Sequence, residues 1–344
     1  MKMMQTWLVL WLALFIIGVV NADDAQGSVK KDHNGEPYQA LCKLLKIAVY
    51  EFVNKGDTLP DPLKAALNKT IFGRKSGGTL EDLKDLPQDY TEGGSARVNF
   101  FGQPYEDPGY YGAPHRWSGY SAPHNLVCLC TKGENGWPVN NSGNQDTLCG
   151  ETSDTLGAGN EGWTGSKTGQ AQMRATWKEV VTHCLKGETG GDLKGALGTF
   201  LGKLEHKPGD EANPNRYQLG EGKPSNWSGC DGTSTQGVCV MYYNSTNPTK
   251  PQPWWVDLQK AIPEDEKLQE QKRREEEERR KQQEETAKQD STKTDALKSE
   301  PPSTNQTAQH RNDNLTDKLR RLNLTSGTPI SRPFSWLLSA AILI

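Results

Sequence analysis

At 344 residues the chain is long enough for one large domain or two ordinary ones, and its 40 basic and 43 acidic residues leave a net charge of −3. That balance gives no support to a nucleic-acid binder, which would show a basic face, and 33% hydrophobic residues with a mean hydropathy of −0.78 exclude a polytopic membrane protein. So low an apolar share also means that part of the chain packs no core.

Residues 1–22 read as a secretory signal. Lys2 supplies the charged start, Trp7 to Val20 form an apolar run too short to span a bilayer, and Val20-Asn21-Ala22 gives the cleavage site. Glu36-Pro37 then opens a helical pattern over 36–55, where Tyr38, Leu41, Leu44, Leu45, Ala48 and Phe52 recur at steps of three and four until Gly56. Asp61-Pro62 caps a second helix whose face carries Leu63, Ala66, Leu67 and Ile71, with Gly73 as its stop. Residues 87–165 hold 14 Gly and 6 Pro and show no long periodicity, so they predict an irregular lobe with possible short strands, stapled by cysteines and filled by aromatic residues.

Helical spacing returns over 167–186 through Met173, Trp177, Val180, Val181 and Cys184, and after Gly187 through Leu193, Ala196, Leu197, Phe200, Leu201 and Leu204. A second Gly/Pro/Asn-rich segment, 207–253, precedes Trp254-Trp255 and a final helix. Residues 264–288 carry 10 acidic and 8 basic side chains and no apolar face after Leu268, which predicts a solvated single helix held by i,i+4 pairs such as Glu270/Arg274 and Glu277/Lys281 rather than a coiled coil. Residues 289–326, rich in Ser, Thr, Asn and Gln with Pro301-Pro302, read as a disordered stalk. Ser326-Gly327-Thr328, a short polar spacer and the apolar Phe334 to Ile344 form the signal for transfer to a GPI lipid, with Ser326 as the attachment residue. The expected layout is a signal at 1–22, an ectodomain at 23–262, a charged helix and stalk at 263–326, and a removed segment at 327–344.

Export predicts that the seven cysteines form disulfides. Cys42, Cys128, Cys130, Cys149, Cys184, Cys230 and Cys239 allow three bridges in any of fifteen connectivities. Cys128 and Cys130 are too close to be assumed self-paired, and Cys230 and Cys239 are near enough for a local hairpin bridge. One thiol is left over, either free and buried or bridging two chains. Asn68, Asn140, Asn226, Asn244, Asn305, Asn314 and Asn323 stand in Asn-x-Ser/Thr sequons; Asn68 falls inside a predicted helix, so a glycan there requires that it face solvent. The six histidines belong to no nucleophile or metal motif, and no phosphate-binding loop or serine elbow occurs. The expectation is a non-enzymatic protein with no catalytic residue, no metal, no cofactor and no small-molecule substrate.

Leu41-Cys42-Lys43-Leu44-Leu45, Ile71-Phe72-Gly73, Leu126-Val127-Cys128-Leu129-Cys130, Trp137-Pro138, Leu148-Cys149-Gly150 and Trp177-Lys178-Glu179-Val180-Val181-Thr182-His183-Cys184 follow one another in order. This ordered set, with the two apolar ends, resembles the trypanosome variant surface glycoproteins. The resemblance implies a mainly α fold, an elongated bundle in which two long antiparallel helices form a rod and the segments between them build an irregular disulfide-stapled lobe. Residues 36–55 and 167–206 then belong to the rod, and 87–165 and 207–253 to the lobe. It also implies a GPI-anchored homodimer on the outer leaflet of the plasma membrane, a dense coat that shields the cell from host antibodies and complement and varies antigenically. No cysteine follows Cys239, which matches the variety that lacks a cysteine-rich C-terminal domain. A surface receptor of the same architecture, binding a host serum protein, is the alternative.

Overall fold

The computed structural model describes residues 30–296 apart from 91–95, 105–115, 141–144, 166–167, 188–189, 212 and 247–249, and the side chains of 289–296 are also outside the description. The expected signal, the stalk, the apolar terminus, Asn305, Asn314, Asn323 and Ser326 therefore lie outside the described residues. The chain divides into two compact units, Met1–Glu276 and Glu277–Ile344.

The first unit is mainly helical. Helix α1 (Gly35–Lys55) and helix α2 (Asp61–Phe72) occupy the two stretches whose apolar spacing predicts them. Leu41, Leu44, Leu45 and Ala48 are fully buried on α1, as are Leu67 and Ile71 on α2, and each large side chain so removed from water contributes about 1.5–3 kcal/mol. Gly73 ends α2 in the left-handed conformation, φ 78°, and a side chain there would collide with the Tyr120 ring. Only glycine satisfies both the turn and the contact.

The segment over 87–165 is more regular than its composition predicts. It contains α3 (Arg97–Phe101) and α4 (Ala122–Cys130). Every residue of α4 is buried, so the helix is apolar all round and carries no stripe for periodicity to detect. Ser121 caps it by accepting from the His124 backbone amide, and Pro123 sits in its first turn. Beyond it the 167–206 region is built from short pieces. These are α5 (Gln170–Thr176), a π turn (Trp177–Val181), α6 (Thr182–Cys184) and α7 (Leu193–Leu201), the last capped by the Asp192 carboxylate on the Gly195 amide. Helix α1 packs against α2, α4, α6 and α7.

Among the described residues five strands complete the unit: β1 (Asp32–His33), β2 (Thr147–Leu148), β3 (Glu205–His206), β4 (Arg216–Glu221) and β5 (Val238–Tyr243). β1 and β2 pair in parallel, and β3-β4-β5 form an antiparallel sheet in that order. All six residues of β5 are buried, and the strand packs on α4. The apolar side chains form one continuous core that runs through the helices and the sheet.

Helix α8 (Trp254–Ala296) begins with Trp254, Trp255, Val256 and Leu258 buried in this core. From Glu270 to Lys288 nearly every side chain is exposed. Arg274 pairs with Glu270 at 2.9 Å in the first unit, and Lys281 with Glu277 at 2.9 Å in the second. Arg280 turns forward to Glu284, at 3.8 Å. Such exposed pairs add about 0.2–0.5 kcal/mol each. No helix among the described residues is long and apolar enough to cross a membrane.

Candidate functional site

Six of the seven cysteines pair among themselves. Cys42 on α1 bridges Cys184 at the end of α6, Cys130 at the end of α4 bridges Cys149, and Cys230 bridges Cys239 on β5. The local bridge that the 230–239 separation allows is formed, and Cys128 and Cys130 point different ways because residues two apart on a helix face different ways. Cys128 is the remaining thiol, free and buried. It donates to the Cys239 carbonyl at 2.8 Å.

Buried polar side chains hold the loops to these staples. Asn34, in the left-handed conformation at the start of α1, donates to the carbonyls of Leu129 (2.8 Å) and Val238 (2.7 Å) and accepts from the Glu221 amide (2.8 Å). One amide thus joins α1, α4 and the β4–β5 pair. Arg97 is fully buried and donates to the carbonyls of Cys128, Thr131 (2.9 Å) and Trp163 (3.3 Å), with its guanidinium 5.7 Å over the Trp163 ring. Burial lowers its pKa from the usual arginine value, and the carbonyls it reaches compensate the charge. The buried Lys132 ammonium donates to the carbonyls of Ser153 (3.1 Å), Gly157 and Gly159 (2.9 Å). Asn125 links Ser118, Tyr242 and Trp254. None of these hubs was legible from sequence, because an isolated Arg, Lys or Asn in or beside a Gly/Pro-rich stretch reads as a solvated residue.

The histidines are dispersed. His124 is buried among Tyr90, Phe100, Phe101 and Tyr120. Its Nδ1 shares a hydrogen bond with the Tyr90 hydroxyl. Burial, and then the charge of Arg116, hold its pKa well below the ordinary value, so it stays neutral. His33 meets the Glu221 carboxylate at 2.7 Å, His183 meets Lys46 at 2.9 Å, and His206 bonds the Pro214 carbonyl at 2.9 Å. His183 stands beside a disulfide half-cystine and so faces no free thiol. Among the described residues no group of three or more His, Cys, Asp or Glu is arranged to hold a metal.

The described sequons differ in presentation. Asn226 is exposed, and its neighbour Trp227 is 73% exposed. Asn140 and Asn244 are half-buried. Asn68 is 7% exposed, and its side-chain nitrogen donates to the Lys75 carbonyl at 3.2 Å. Asn68 is thus turned away from the solvent that a glycan there requires. It faces inward from α2, and the nitrogen a glycan would occupy is already committed.

The arrangement is thus a stapled core with buried polar ties, with the Asn226 sequon exposed on a surface loop. A comparison with curated proteins finds no match. A family model described as the trypanosomal VSG domain matches residues 50–286. That span runs from the last turns of α1 through the three-stranded sheet into the charged part of α8. Over more than half its length the chain carries this domain, and it belongs to the trypanosomal VSG family, whose members form a surface coat.

Proposed function

We propose that this chain is a GPI-anchored coat glycoprotein that works as a homodimer by bulk and crowding, without catalysis. The carrying observation is the VSG domain match over 50–286. The small-residue triplet Ser326-Gly327-Thr328 followed by an apolar terminus supports the lipid anchor. Packed protein bearing N-linked sugar excludes large molecules such as antibody and complement from the bilayer, and exposed loops such as that at Asn226-Trp227 form the surface that antibodies meet.

Treating intact cells with a phosphatidylinositol-specific lipase tests the reading. Release of this chain as the dominant surface species, with a C-terminal peptide ending at Ser326, is the expected result. A scarce species that captures a serum protein at stoichiometric load would instead establish a receptor, and a mature peptide running past Thr328 would remove the anchor. Light scattering on the released protein should give twice the chain mass.

A further inference from the structure

A cleft of about 60 Å³ lies beside the end of β5. Trp117, Tyr243 and Pro251 form its apolar wall, Asn213 and Asn215 its polar one, and the whole Asn244 sequon lines it. Its position is fixed by the backbone, since the Asn244 amide donates to the Asn215 carbonyl at 3.0 Å. The Tyr243 hydroxyl donates to the Gly102 carbonyl at 2.7 Å, which sets the ring. Asn213 gives one amide hydrogen to Asp210 at 2.9 Å, leaving its oxygen able to accept. The Asn244 side chain is half-buried at this cleft, in contrast to Asn68, which is buried with its nitrogen committed to the Lys75 carbonyl.

We propose that Asn244 carries an N-linked glycan whose first N-acetylhexosamine is seated in this cleft. The volume matches about five water-sized spheres, which admits one face of a single sugar ring and leaves the rest of the oligosaccharide in solvent. A pyranose has an apolar face and a polar rim. The Trp117 and Tyr243 rings and Pro251 meet the first, and the amides of Asn213 and Asn215 meet the second. The sugar thereby adds a tie between the loop after β5 and the loop before β4, which the Asn244 amide and the Asn215 carbonyl already join. The proposal rests on the exported, glycosylated part of the reading above, but not on the coat role.

The test uses the full released glycoprotein and an amidase that cleaves the glycan–asparagine bond, with site-resolved mass spectrometry. The Asn244 glycan should be released about tenfold or more slowly from native than from denatured protein, because release waits on local opening. The glycan on exposed Asn226, where present, should leave at similar rates in both. An unmodified Asn244 in native protein, or equal native and denatured release rates there, overturns the proposal. Thr246→Ala, which removes the sequon but keeps Asn244, should speed hydrogen exchange of residues 213–215 and 244–246. Unchanged exchange in that variant would also overturn the seating. Lipase release and copy number are indifferent to every one of these outcomes, so a failure here is separable from a failure of the coat reading.

Discussion

Cys128 is the thiol that seven cysteines must leave over, and its surroundings make it inert. Burial pushes its pKa up to about 12, against the partly opposing charge of Arg97, so almost no thiolate exists at neutral pH. Iodoacetamide should modify no cysteine in the native protein and one, Cys128, after unfolding, and non-reducing gels should show no covalent dimer; native labelling or a dimer band would contradict this environment. His124 gives a second consequence. Its folded pKa is lowered while its unfolded value is about 6.5, so the unfolded chain binds the extra proton first. The stability contributed is fully present above pH 6.5 and is lost as pH falls below it toward the folded value. Urea midpoints should therefore drop between pH 7 and pH 5, and His124→Gln should flatten that slope. An identical slope in the variant would assign the acid sensitivity to another group.

At the scale of elements, the bridges are unequal because the loops they close are unequal. Cys42–Cys184 closes a separation of 142 residues and Cys230–Cys239 one of 9. Chain entropy assigns about 5 kcal/mol to the first and about 2.5 kcal/mol to the second. Replacing each pair by alanine should lower stability in that order, read by chemical denaturation, and the reverse order would show that local strain or residual structure outweighs loop entropy. The same scale explains the missed helix. Helices α1 and α2 show themselves through a one-sided apolar stripe, because their other faces meet water. Helix α4 has no wet face, and it sits in a stretch of Gly and Pro that dominates any window drawn around it. Its Leu126-Val127-Cys128-Leu129-Cys130 run was visible, but a run of five apolar residues fits a buried strand equally well.

For the molecule as a whole, burial separates two regimes along α8. Its first turns lie in the core, while from Glu270 to Lys288 the side chains are nearly all exposed. Helix without tertiary burial opens easily, so limited trypsin digestion should cut first among Lys272, Arg273, Arg274, Arg279, Arg280 and Lys281. The disulfide-held part through α7 and the sheet should survive as one large fragment. First cleavage within residues 30–260 would mean that the stapled core is less stable than the charged helix. Raising salt to about 1 M, where the Debye length is about 3 Å, should hasten that first cut by weakening the Glu–Arg and Glu–Lys pairs.

The sequence by itself determined the helices with one wet face, the polarity of the charged segment and the expectation of oxidised cysteines, and it allowed the local 230–239 bridge without choosing it. Those properties are local or compositional, and short-range spacing carries them. Only the tertiary structure decided that Cys42 meets Cys184 across 142 residues, that Cys128 is the thiol left over, that Asn68 is turned inward, and that Asn34, Arg97, Lys132 and Asn125 are structural hubs. Each of these depends on which distant carbonyl, ring or sulfur the folded chain brings within about 3–6 Å, and a polar side chain carries no sign in sequence of whether water or protein will satisfy it.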